Sequence, residues 1–588
     1  MTRILITGAS STVDNHQPLI QRALDAVDAA GGGVVEIADG VHYLNTPLKI
    51  GSHTLLRMAP AVELIRNFSG LGESNATIQN KNLSAGNTTI SISGGTIKAL
   101  DSSKTGKHLA LAKVAYVSLE GTRFLSVYGD WNTVFRDCTD VTVSNLVIQS
   151  DGSTEFQDGL HFLGGARIAV ANCLISTGDD AIALTLVDVT PAAAIPIADV
   201  VITNCYLHSI RANALRIWIN DVSETSIRRV RVSNIVAKTG NSAYEGAGVV
   251  IANNGGTGTF VTDVELSAFY LDASQSFTRA AYIYNCRQIR LDRYFVSKPM
   301  YRIEIDACND IVLSDCVVDS PRGAYSQCVL VASAASCANI RIIGGRYLGA
   351  RHHALQFGTA SLFVNGFEVR GALIEGNEET TLNGIHAWYA AEGLVCNNTI
   401  KNCIHWGIYE DAALGNNNLF LGNRLFNNTP GPISFGGNNS QAIRNVAPNG
   451  VQIADSGGFR ETIDGWSIAT TATNDTEMDR WGVSPVGGRY RASRKGSITG
   501  LVIACPDAIS GGTVTATVWK NTGTPGATSG ASVVDTGYSI TLSSGTKNAS
   551  TQARNATLFA DQDELFLRFT KTGTPTSTML RCSFEVEI

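Results

Sequence analysis

The chain has 588 residues, which is enough for two or three domains, and its net charge of −6 excludes the basic surface of a nucleic-acid-binding protein. No run approaches the ~20 apolar residues of a membrane helix, and the first twenty residues lack the basic and apolar regions of a secretory signal. Twelve cysteines are scattered without CxxC pairs, so we expect reduced thiols, no metal site of the zinc type and no cofactor.

The N-terminus contains one misleading motif and one capping element. Residues 3–10 read like the first strand of a dinucleotide-binding fold, but the Gly-x-Gly-x-x-Gly spacing of such a fold is absent. Residues 14–30 predict one amphipathic helix, which a run of three glycines ends. Its apolar face holds Leu19, Ile20, Ala23, Leu24 and Val27. We expect residues 1–12 to form an N-terminal extension and the helix to cap a larger structure.

A repeat of 24 to 32 residues follows the cap. Short β-branched or apolar segments end on Asn or Gly at steps of 27, 24, 27, 32 and 30 residues. The residues at this point are Gly94, Gly121, Asn145, Asn172, Asn204 and Asn234. The pattern resumes at residues 313–316, 343–345, 370–372, 397–399 and 422–424. Such periods indicate a solenoid, and strand-sized runs favour β over α, so we predict an all-β fold with a right-handed parallel β-helix over residues 13–445.

The fixed Asn or Gly of each repeat has a structural explanation. Both residues tolerate the left-handed backbone conformation, and stacked Asn side chains can form a ladder. Cys173, Cys205 and Cys316 follow the ladder position directly. We therefore interpret these three cysteines as small interior residues.

Three aspartates recur at the interval of one repeat. Asp158 lies in Gln157-Asp158-Gly159, and Asp179 and Asp180 follow one repeat later. Hydrolysis of a glycosidic bond needs one protonated carboxyl and others that are ionised, and like charges at close range separate the pKa values of such groups. The alternatives are a solvated turn of the solenoid or a site for a hard cation such as calcium.

The motifs resemble known families. Residues 14–44 look like the start of the pectate-lyase-like β-helix superfamily. The aspartates resemble the motif of polygalacturonases (glycoside hydrolase family 28), an Asn-Thr-Asp followed one coil later by Asp-Asp, although Phe156-Gln157 replaces Asn-Thr here. The resemblance implies that Asp179 is the general acid and that Asp158 and Asp180 hold and deprotonate water. It also implies inversion, with carboxylates roughly 6.5–9.5 Å apart.

Five further residues are candidates for substrate binding. Residues 213–217 resemble the Arg-Ile-Lys segment of that family, with Trp218 in place of the Lys. Arg216 could hold a carboxylate or sulfate, and Trp218 offers a flat face for a sugar. Asn213, His208 and Glu245 lie near the equivalent position of neighbouring repeats and are the remaining candidates. The alternative for His208 is a partly buried residue of a turn without a role in binding.

Two other sets of polar and aromatic residues lie near the aspartates in the sequence or in later repeats. His161 follows Asp158 by three, and the spacing alone does not place it on the same face. His386, Trp388, His405, Trp406 and Tyr409 lie in later repeats. These side chains predict either a saccharide groove or interior stacking, and stacking is the simpler interpretation.

The composition shifts near residue 445. Residues 446–458 are rich in Gly, Pro, Ser and Asn and predict a linker. Residues 459–588 alternate in the manner of an antiparallel β-sandwich and resemble the C-terminal domains of phage tail fibres and tailspikes. That resemblance implies trimerisation or carbohydrate binding for this domain.

The sequence leaves several functions open. The first is a phage tailspike-type glycoside hydrolase that cleaves a bacterial surface polysaccharide, capsule or O-antigen. Since no secretory signal is present, a virion protein released by lysis, or otherwise an extracellular one, is expected. The tailspike resemblance implies a homotrimer, and residues 1–12 would dock onto other phage tail proteins. The alternatives are a polysaccharide lyase with Arg216 as base, a non-catalytic receptor-binding fibre, and a pectinase-like hydrolase.

Overall fold

The computed structural model describes most of the chain. It describes residues 2–446 except 11–13, 155, 191, 241–246, 275–278, 378, 412–413, 430 and 435–438, together with ten C-terminal segments. These segments are 460–468, 476–477, 479–480, 490–491, 496–504, 511–523, 533–543, 548–559, 563–573 and 580–587. The chain divides into two compact units, Met1–Ser440 with Val446–Val451, and Gln441–Asn445 with Gln452–Ile588. Apart from Val446, the predicted linker lies outside the described residues.

The first unit is a right-handed parallel β-helix, as predicted. Each coil contributes strands to three parallel sheets. The first sheet contains Leu48–Ile50, Ile78–Asn80, Leu109–Ala112, Ile182–Val187, Leu215–Asn220, Ala247–Asn254, Arg279–Tyr284, Tyr301–Asp306, Val329–Val331, Leu355–Phe357, Ile385–Ala387, Ile408–Glu410 and Ile433–Ser434. The second contains Thr2–Ile6, Gly33–Ile37, Thr54–Met58, Asn87–Ser93, Val114–Glu120, Ile197–Thr203, Asn309–Ser314, Cys337–Ile343, Val364–Arg370, Ala390–Ala391, Leu394–Cys396 and Leu419–Leu421.

The third sheet completes each coil. It contains Val41–Leu44, Glu63–Arg66, Thr96–Ala99, Arg123–Leu125, Val147–Gln149, Leu174–Thr177, Tyr206–Ser209, Val317–Asp319, Arg346–Leu348, Leu373–Glu375, Thr399–Lys401 and Arg424–Phe426. Five long strands bend from one sheet into the next. Thr133–Ser144 and Leu160–Ala171 run from the first sheet into the second, and Ser226–Thr239, Phe260–Asp272 and Cys286–Ser297 run from the second into the third.

The N-terminal cap differs from the prediction in the start of its helix and in the segment that precedes the helix. The helix spans Gln17–Ala29 and starts three residues late, because Pro18 occupies its first turn, where a missing N–H is tolerated. It buries Ile20, Ala23, Leu24 and Val27, whereas Leu19 is exposed. Thr2–Ile6 pairs in parallel with Gly33–Ile37, so the second sheet already begins within the segment predicted as an extension.

The junction between the second and third sheets is the most regular part of the coil. From Asn87–Ser93 onward, two residues join the strands wherever they are separate. The predicted Asn or Gly has a positive φ at all six positions, from 53° at Asn234, which lies within a continuous strand, to 71° at Gly94. Ala268 and Arg293 adopt the same conformation in two coils where the sequence shows neither Asn nor Gly. Cys173, Cys205 and Cys316 are buried, which confirms that prediction.

The other two junctions of the coil vary in length. Residues 188–196 connect the first sheet to the second in one coil, and residues 150–159 connect the third sheet to the first. Inside the coils, alternate Ile, Leu and Val side chains of all three sheets are fully buried. The other side chains of each strand point outward. Since one variable junction precedes the first sheet and the other follows it, both border the outer face of that sheet.

The second unit contains two antiparallel sheets of five strands, as a β-sandwich requires. The first is formed by Arg460–Ile468, Asp479–Arg480, Gly496–Ala504, Asn548–Phe559 and Leu580–Glu587. The second is formed by Thr476–Glu477, Tyr490–Arg491, Gly512–Asn521, Val533–Leu542 and Glu564–Gly573. The short strand Gln441–Ile443 also belongs to this unit. Across the described part of the whole chain, no helix has the length and apolar character needed to span a membrane.

Candidate active site

The three predicted aspartates meet at the start of the first sheet. Asp158 precedes the strand Leu160–Ala171, and Asp179 and Asp180 precede Ile182–Val187. These strands pair in parallel with Leu160 opposite Ile182, so Asp158 and Asp180 occupy the same point of adjacent coils. One carboxylate oxygen from each of the three aspartates lies within 4.8 Å of the others. The repeat therefore brings together the three residues that the motif predicted.

Hydrogen bonds to the next coil fix this arrangement. Oδ1 of Asp158 accepts the amide N–H of Asp180 at 3.1 Å. Oδ1 of Asp180 in turn accepts the amide N–H and the Nδ2 of Asn213, at 3.1 and 2.7 Å. Oδ1 of Asn213 accepts the amide N–H of Ala247 at 2.7 Å. Each side chain in this column is held by the backbone of the following coil, so Asn213, which is almost fully buried, supports Asp180.

The three carboxyl groups differ in access to solvent. Asp158 and Asp180 are only 3% and 1% exposed, whereas Asp179 is partly exposed. Burial, together with the charges of Asp158 and Asp180, raises the pKa of Asp179 to about 10, although Arg216 opposes the shift. Burial and the charge of Asp180 also raise the pKa of Asp158 well above its usual value. Carboxyl groups this close share protons as one cluster.

The donors around the cluster determine where a proton is most stable. Asp180 accepts hydrogen bonds from Nδ2 of Asn213 and from Nη1 of Arg216, which lies 3.0 Å from Oδ2 of Asp180. Asp158 accepts a hydrogen bond from the amide N–H of Asp180 and forms another with Nδ1 of His161. The Asp180 amide opposes the rise in the pKa of Asp158, whereas the side-chain hydrogen bond with Asp158 raises the pKa of Asp179 further. We infer that the proton of the cluster resides on Asp179, the member that solvent reaches.

Arg216 and Trp218 lie beside the carboxylates. Both point outward from the strand Leu215–Asn220, and the Arg216 guanidinium is 4.1 Å from the centre of the Trp218 ring. Burial acts against the charge of Arg216, but Asp180, Asp158 and Asp179 raise its pKa above the ordinary value. The site therefore joins a permanent positive charge and an indole ring to three carboxyl groups.

His161 is part of the site, which its spacing alone did not indicate. Its Nδ1 lies 2.6 Å from Oδ2 of Asp158, and its Nε2 lies 2.6 Å from Oγ1 of Thr185. The ring of Trp131 stacks on it at 3.8 Å between centroids, and Nζ of Lys107 lies 4.5 Å from the centre of that indole. Burial lowers the pKa of His161 to about 3.

The remaining predicted residues lie elsewhere. His208 is on the outer face of the third sheet, where its Nδ1 is 3.0 Å from Oγ of Ser176, and burial lowers its pKa. Glu245 lies outside the described residues. In the later coils, the His386 ring stacks with Trp388 and packs against Tyr409, each at 5.2 Å between centroids. Successive register pairs place His386 in the same outward column of the first sheet as Arg216.

The same three aspartates satisfy the distance requirement for a metal site. Among the described residues, no other group of three His, Cys, Asp or Glu brings its ligand atoms this close together. Carboxylate oxygens suit hard cations such as calcium. The Arg216 guanidinium already neutralises part of the negative charge here, which reduces the need for a cation.

This chain is similar to known proteins both in sequence and in structure. Residues 84–234 match the model of glycosyl hydrolases family 28, and residues 233–471 match that of the periplasmic copper-binding protein NosD. A search of the curated proteins found no match. A double mutant of the tailspike protein of E. coli bacteriophage HK620 is similar in structure, with 10% identity, 98% of this chain and 91% of that chain covered, and a TM-score of 0.47.

Two further solved structures are similar to this chain. A single mutant of the same tailspike protein, in complex with a pentasaccharide, has 12% identity, the same coverage and a TM-score of 0.47. A family 28 exopolygalacturonase from Yersinia enterocolitica has 14% identity, with 58% of this chain and 78% of that chain covered, and a TM-score of 0.41. The segment that contains Asp158, Asp179 and Asp180 is thus similar in sequence to glycosyl hydrolases family 28, as its motif predicted.

Proposed function

We propose that this protein is a glycoside hydrolase that cleaves a bacterial surface polysaccharide, capsule or O-antigen, in the manner of a phage tailspike. The observation that carries the proposal is the cluster of Asp158, Asp179 and Asp180, in which burial raises the pKa of Asp179 and of Asp158 while N–H donors of the next coil hold Asp158 and Asp180. An acid and a base side by side are what hydrolysis of a glycosidic bond requires. The family 28 similarity of residues 84–234 supports the same reaction.

Each carboxyl group has a separate role in this reaction. Asp179 is partly exposed and protonated, so it donates its proton to the oxygen of the departing sugar. Asp158 and Asp180 hold a water molecule and accept its proton as it attacks the anomeric carbon. As the proton leaves Asp179, the charge of Arg216 stabilises the ionised cluster.

Direct attack by water with inversion is the stereochemistry that we propose. Asp158 and Asp180 are too deeply buried to bond to a sugar carbon, although a water molecule is much smaller than a pyranose ring. The separation between nearest oxygens, at most 4.8 Å, is shorter than the roughly 6.5–9.5 Å between carboxyl groups that is typical of inverting enzymes. Inversion is therefore supported by burial and by the resemblance rather than by spacing.

The neighbouring residues indicate the chemical class of the sugar. Arg216 offers a guanidinium that suits a carboxylate or sulfate, and Trp218 offers an aromatic face for a pyranose ring. An acidic polysaccharide is thus the substrate we propose. The tailspike resemblance adds a homotrimer in the phage virion, with docking of the N-terminus onto other tail proteins and carbohydrate binding or trimerisation by the C-terminal unit.

A polysaccharide lyase is the second candidate, because the three carboxylates satisfy the distances of a cation site. In that reaction, the cation would bind the uronate and Arg216 would remove the proton next to its carboxyl group. The Asp180 ion pair and the raised pKa keep Arg216 charged, which makes it a poor base. Hydrolysis is therefore favoured.

Digestion of a panel of purified capsular polysaccharides and O-chains tests the proposal. Hydrolysis gives new reducing ends and products heavier by one water, whereas a lyase gives unsaturated products that absorb in the near ultraviolet. Asp179→Asn should lower the rate at least about a thousandfold, while Asp199→Asn, which changes an exposed carboxylate paired with Arg229, should leave it within about twofold. A combined Asp179→Asn and Asp180→Asn variant that still degrades the glycan would exclude this site.

A further inference from the structure

The outer face of the first sheet is covered on the N-terminal side of the aspartates. Ala110 and Val134 precede His161 in the outward column that leads to Arg216, and both are fully buried. They belong to an apolar cluster against which four further side chains pack, Trp131, Val187, Val189 and Ala193. Since these side chains occupy the N-terminal part of the face, a glycan bound at the aspartates continues toward the C-terminal coils.

The coils in that direction carry a second pair of outward aromatic rings. Two outward columns run in register through three coils and hold, in order, Arg216 and Trp218, Val250 and Ala252, and Tyr282 and Tyr284. The rings of Tyr282 and Tyr284 stack at 5.9 Å with 16° between their planes, and both are partly exposed. They offer another aromatic face two strand spacings, or about 10 Å, beyond Trp218.

A guanidinium lies beside these rings, as one does at Trp218. The Arg279 guanidinium is 5.0 Å from the centre of the Tyr282 ring, and its Nε lies 3.0 Å from Oε2 of Glu304. Glu304 is only 6% exposed, whereas the Arg279 side chain is 23% exposed. Arg216 likewise lies 4.1 Å from the centre of the Trp218 ring, pairs with a buried carboxylate and is 30% exposed. Each arginine is thus oriented by a ring and a carboxylate and still reaches solvent.

Arg302 adds another guanidinium at this second position. Its Nη2 lies 3.2 Å from the same Oε2 of Glu304 that Arg279 contacts, so two arginines share one carboxylate oxygen. The nearby carboxylate of Asp306 is directed elsewhere, because it accepts hydrogen bonds from the amide N–H and Oγ of Ser333 at 2.5 and 2.7 Å. Planar guanidinium groups in this setting suit a carboxylate or sulfate of a ligand.

We propose that Arg279, Arg302 and Tyr282 form a second subsite, which binds another acidic sugar of the same glycan that Arg216 and Trp218 bind. The second subsite rests on the proposed hydrolysis, and it adds that the substrate carries acidic sugars at recurring positions. The anionic groups bound at the two subsites are about 10 Å apart, because two strand spacings separate them. The bound glycan then runs along the axis of the β-helix.

Kinetics on the glycan that wild type cleaves test the second subsite. Arg279→Gln should raise KM at least about tenfold and change kcat less than about twofold, because a charged contact is lost at a distance from the aspartates. Tyr282→Ala, which removes no ion pair, should raise KM about threefold to tenfold. The matched controls are Arg167→Gln, at another ion-paired arginine, and Tyr270→Ala, at another stacked tyrosine, and both should keep the wild-type KM.

Substrate length distinguishes loss of this subsite from general damage. Oligosaccharides from a partial digest can be bound to the Asp179→Asn protein and measured by calorimetry. Adding Arg279→Gln should weaken binding of oligosaccharides that span both subsites and leave shorter ones unchanged, since these reach only Arg216. Equal weakening of short and long oligosaccharides would overturn the second subsite.

The remaining outcomes separate this inference from the proposed function. Circular dichroism shows whether each variant is folded, and Tyr282→Ala keeps the test available if Arg279→Gln does not fold. Folded Arg279→Gln and Tyr282→Ala proteins with the wild-type KM would overturn the second subsite while hydrolysis stands. Failure of wild type to cleave any acidic polysaccharide would overturn the proposed function and this inference with it.

Discussion

Nδ1 of His161 lies 2.6 Å from Oδ2 of Asp158, and both side chains are almost completely buried. Burial lowers the pKa of His161 to about 3, so the ring is neutral at physiological pH and carries one proton. Both short contacts are hydrogen bonds when the ring proton is on Nδ1. Nδ1–H then donates to the carboxylate of Asp158, and Nε2 accepts from the hydroxyl of Thr185. His161 then orients Asp158 and stabilises its charge.

His161→Ala should lower kcat about 10- to 100-fold with little change in KM, because the base loses its orientation while the substrate contacts remain. His161→Asn, which retains a donor at a similar position, should recover part of that rate. Exposed His53 provides the control, and His53→Ala should keep the wild-type kcat. Equal kcat values in His161→Ala and wild type would remove His161 from the mechanism.

The pH dependence of hydrolysis should reflect the raised pKa of Asp179. The acid must be protonated, so activity should persist well above the usual range of a carboxyl group, with its alkaline limit set by loss of this proton. The measurement is kcat/KM against pH on the cleaved glycan. An alkaline limit near pH 4 would contradict the assignment of the acid.

The raised pKa of Asp179 should also affect the stability of the fold. A carboxyl whose pKa is higher in the folded than in the unfolded state costs stability once the pH exceeds its unfolded value of about 3.9, and the cost grows toward the folded pKa. Asp179→Asn removes this cost, so it should stabilise the fold at pH 7 by at least about 1 kcal/mol. Melting temperatures at pH 7 and pH 4 check the prediction, since the gain should vanish at pH 4. Asp199→Asn should show no gain.

Trp218 should contribute to binding rather than to chemistry. Trp218→Ala removes the aromatic face that packs against Arg216, and it should raise KM up to about tenfold while kcat changes less than threefold. Tyr116→Ala, a change to another exposed aromatic residue, should leave both constants unaltered. A large fall in kcat for Trp218→Ala would instead assign this residue to the acid–base step.

The hydrogen bonds between the buried side chains of Asn398 and Asn423 should be important for stability. Asn423 is fully buried, and its Oδ1 accepts the amide and Nδ2 of Asn398 while its Nδ2 donates to the carbonyl of Val395. Asn423→Leu keeps the volume but leaves these groups unpaired, so it should cost about 2–4 kcal/mol. Thermal unfolding measures this cost, and Asn82→Ala, at an exposed position without a positive φ, should cost less than about 0.5 kcal/mol.

The sequence predicted those features that the repeat itself determines. The interval of one repeat was enough to predict that Asp158 and Asp180 lie together, because equivalent positions of adjacent parallel coils are neighbours. The turns at Ala268 and Arg293 were missed because burial on either side holds these residues in a left-handed conformation that their own preferences do not indicate. Trp131 was missed for another reason, because it stacks on His161 from a connection between sheets whose path the period does not define.

The two-residue junction between the second and third sheets contrasts with the variable connections on either side of the first sheet. An insertion in a variable connection leaves the strand register intact, whereas one in the short junction would displace every inward side chain of its coil. Changes in chain length are thus better tolerated in the connections that flank the first sheet, whose strand Leu215–Asn220 carries Arg216 and whose edge carries Asp158 and Asp179. Evolution of a chain with this architecture can change the surface around the carboxylates through these connections, while the strand register that aligns Asp158 with Asp180 is kept.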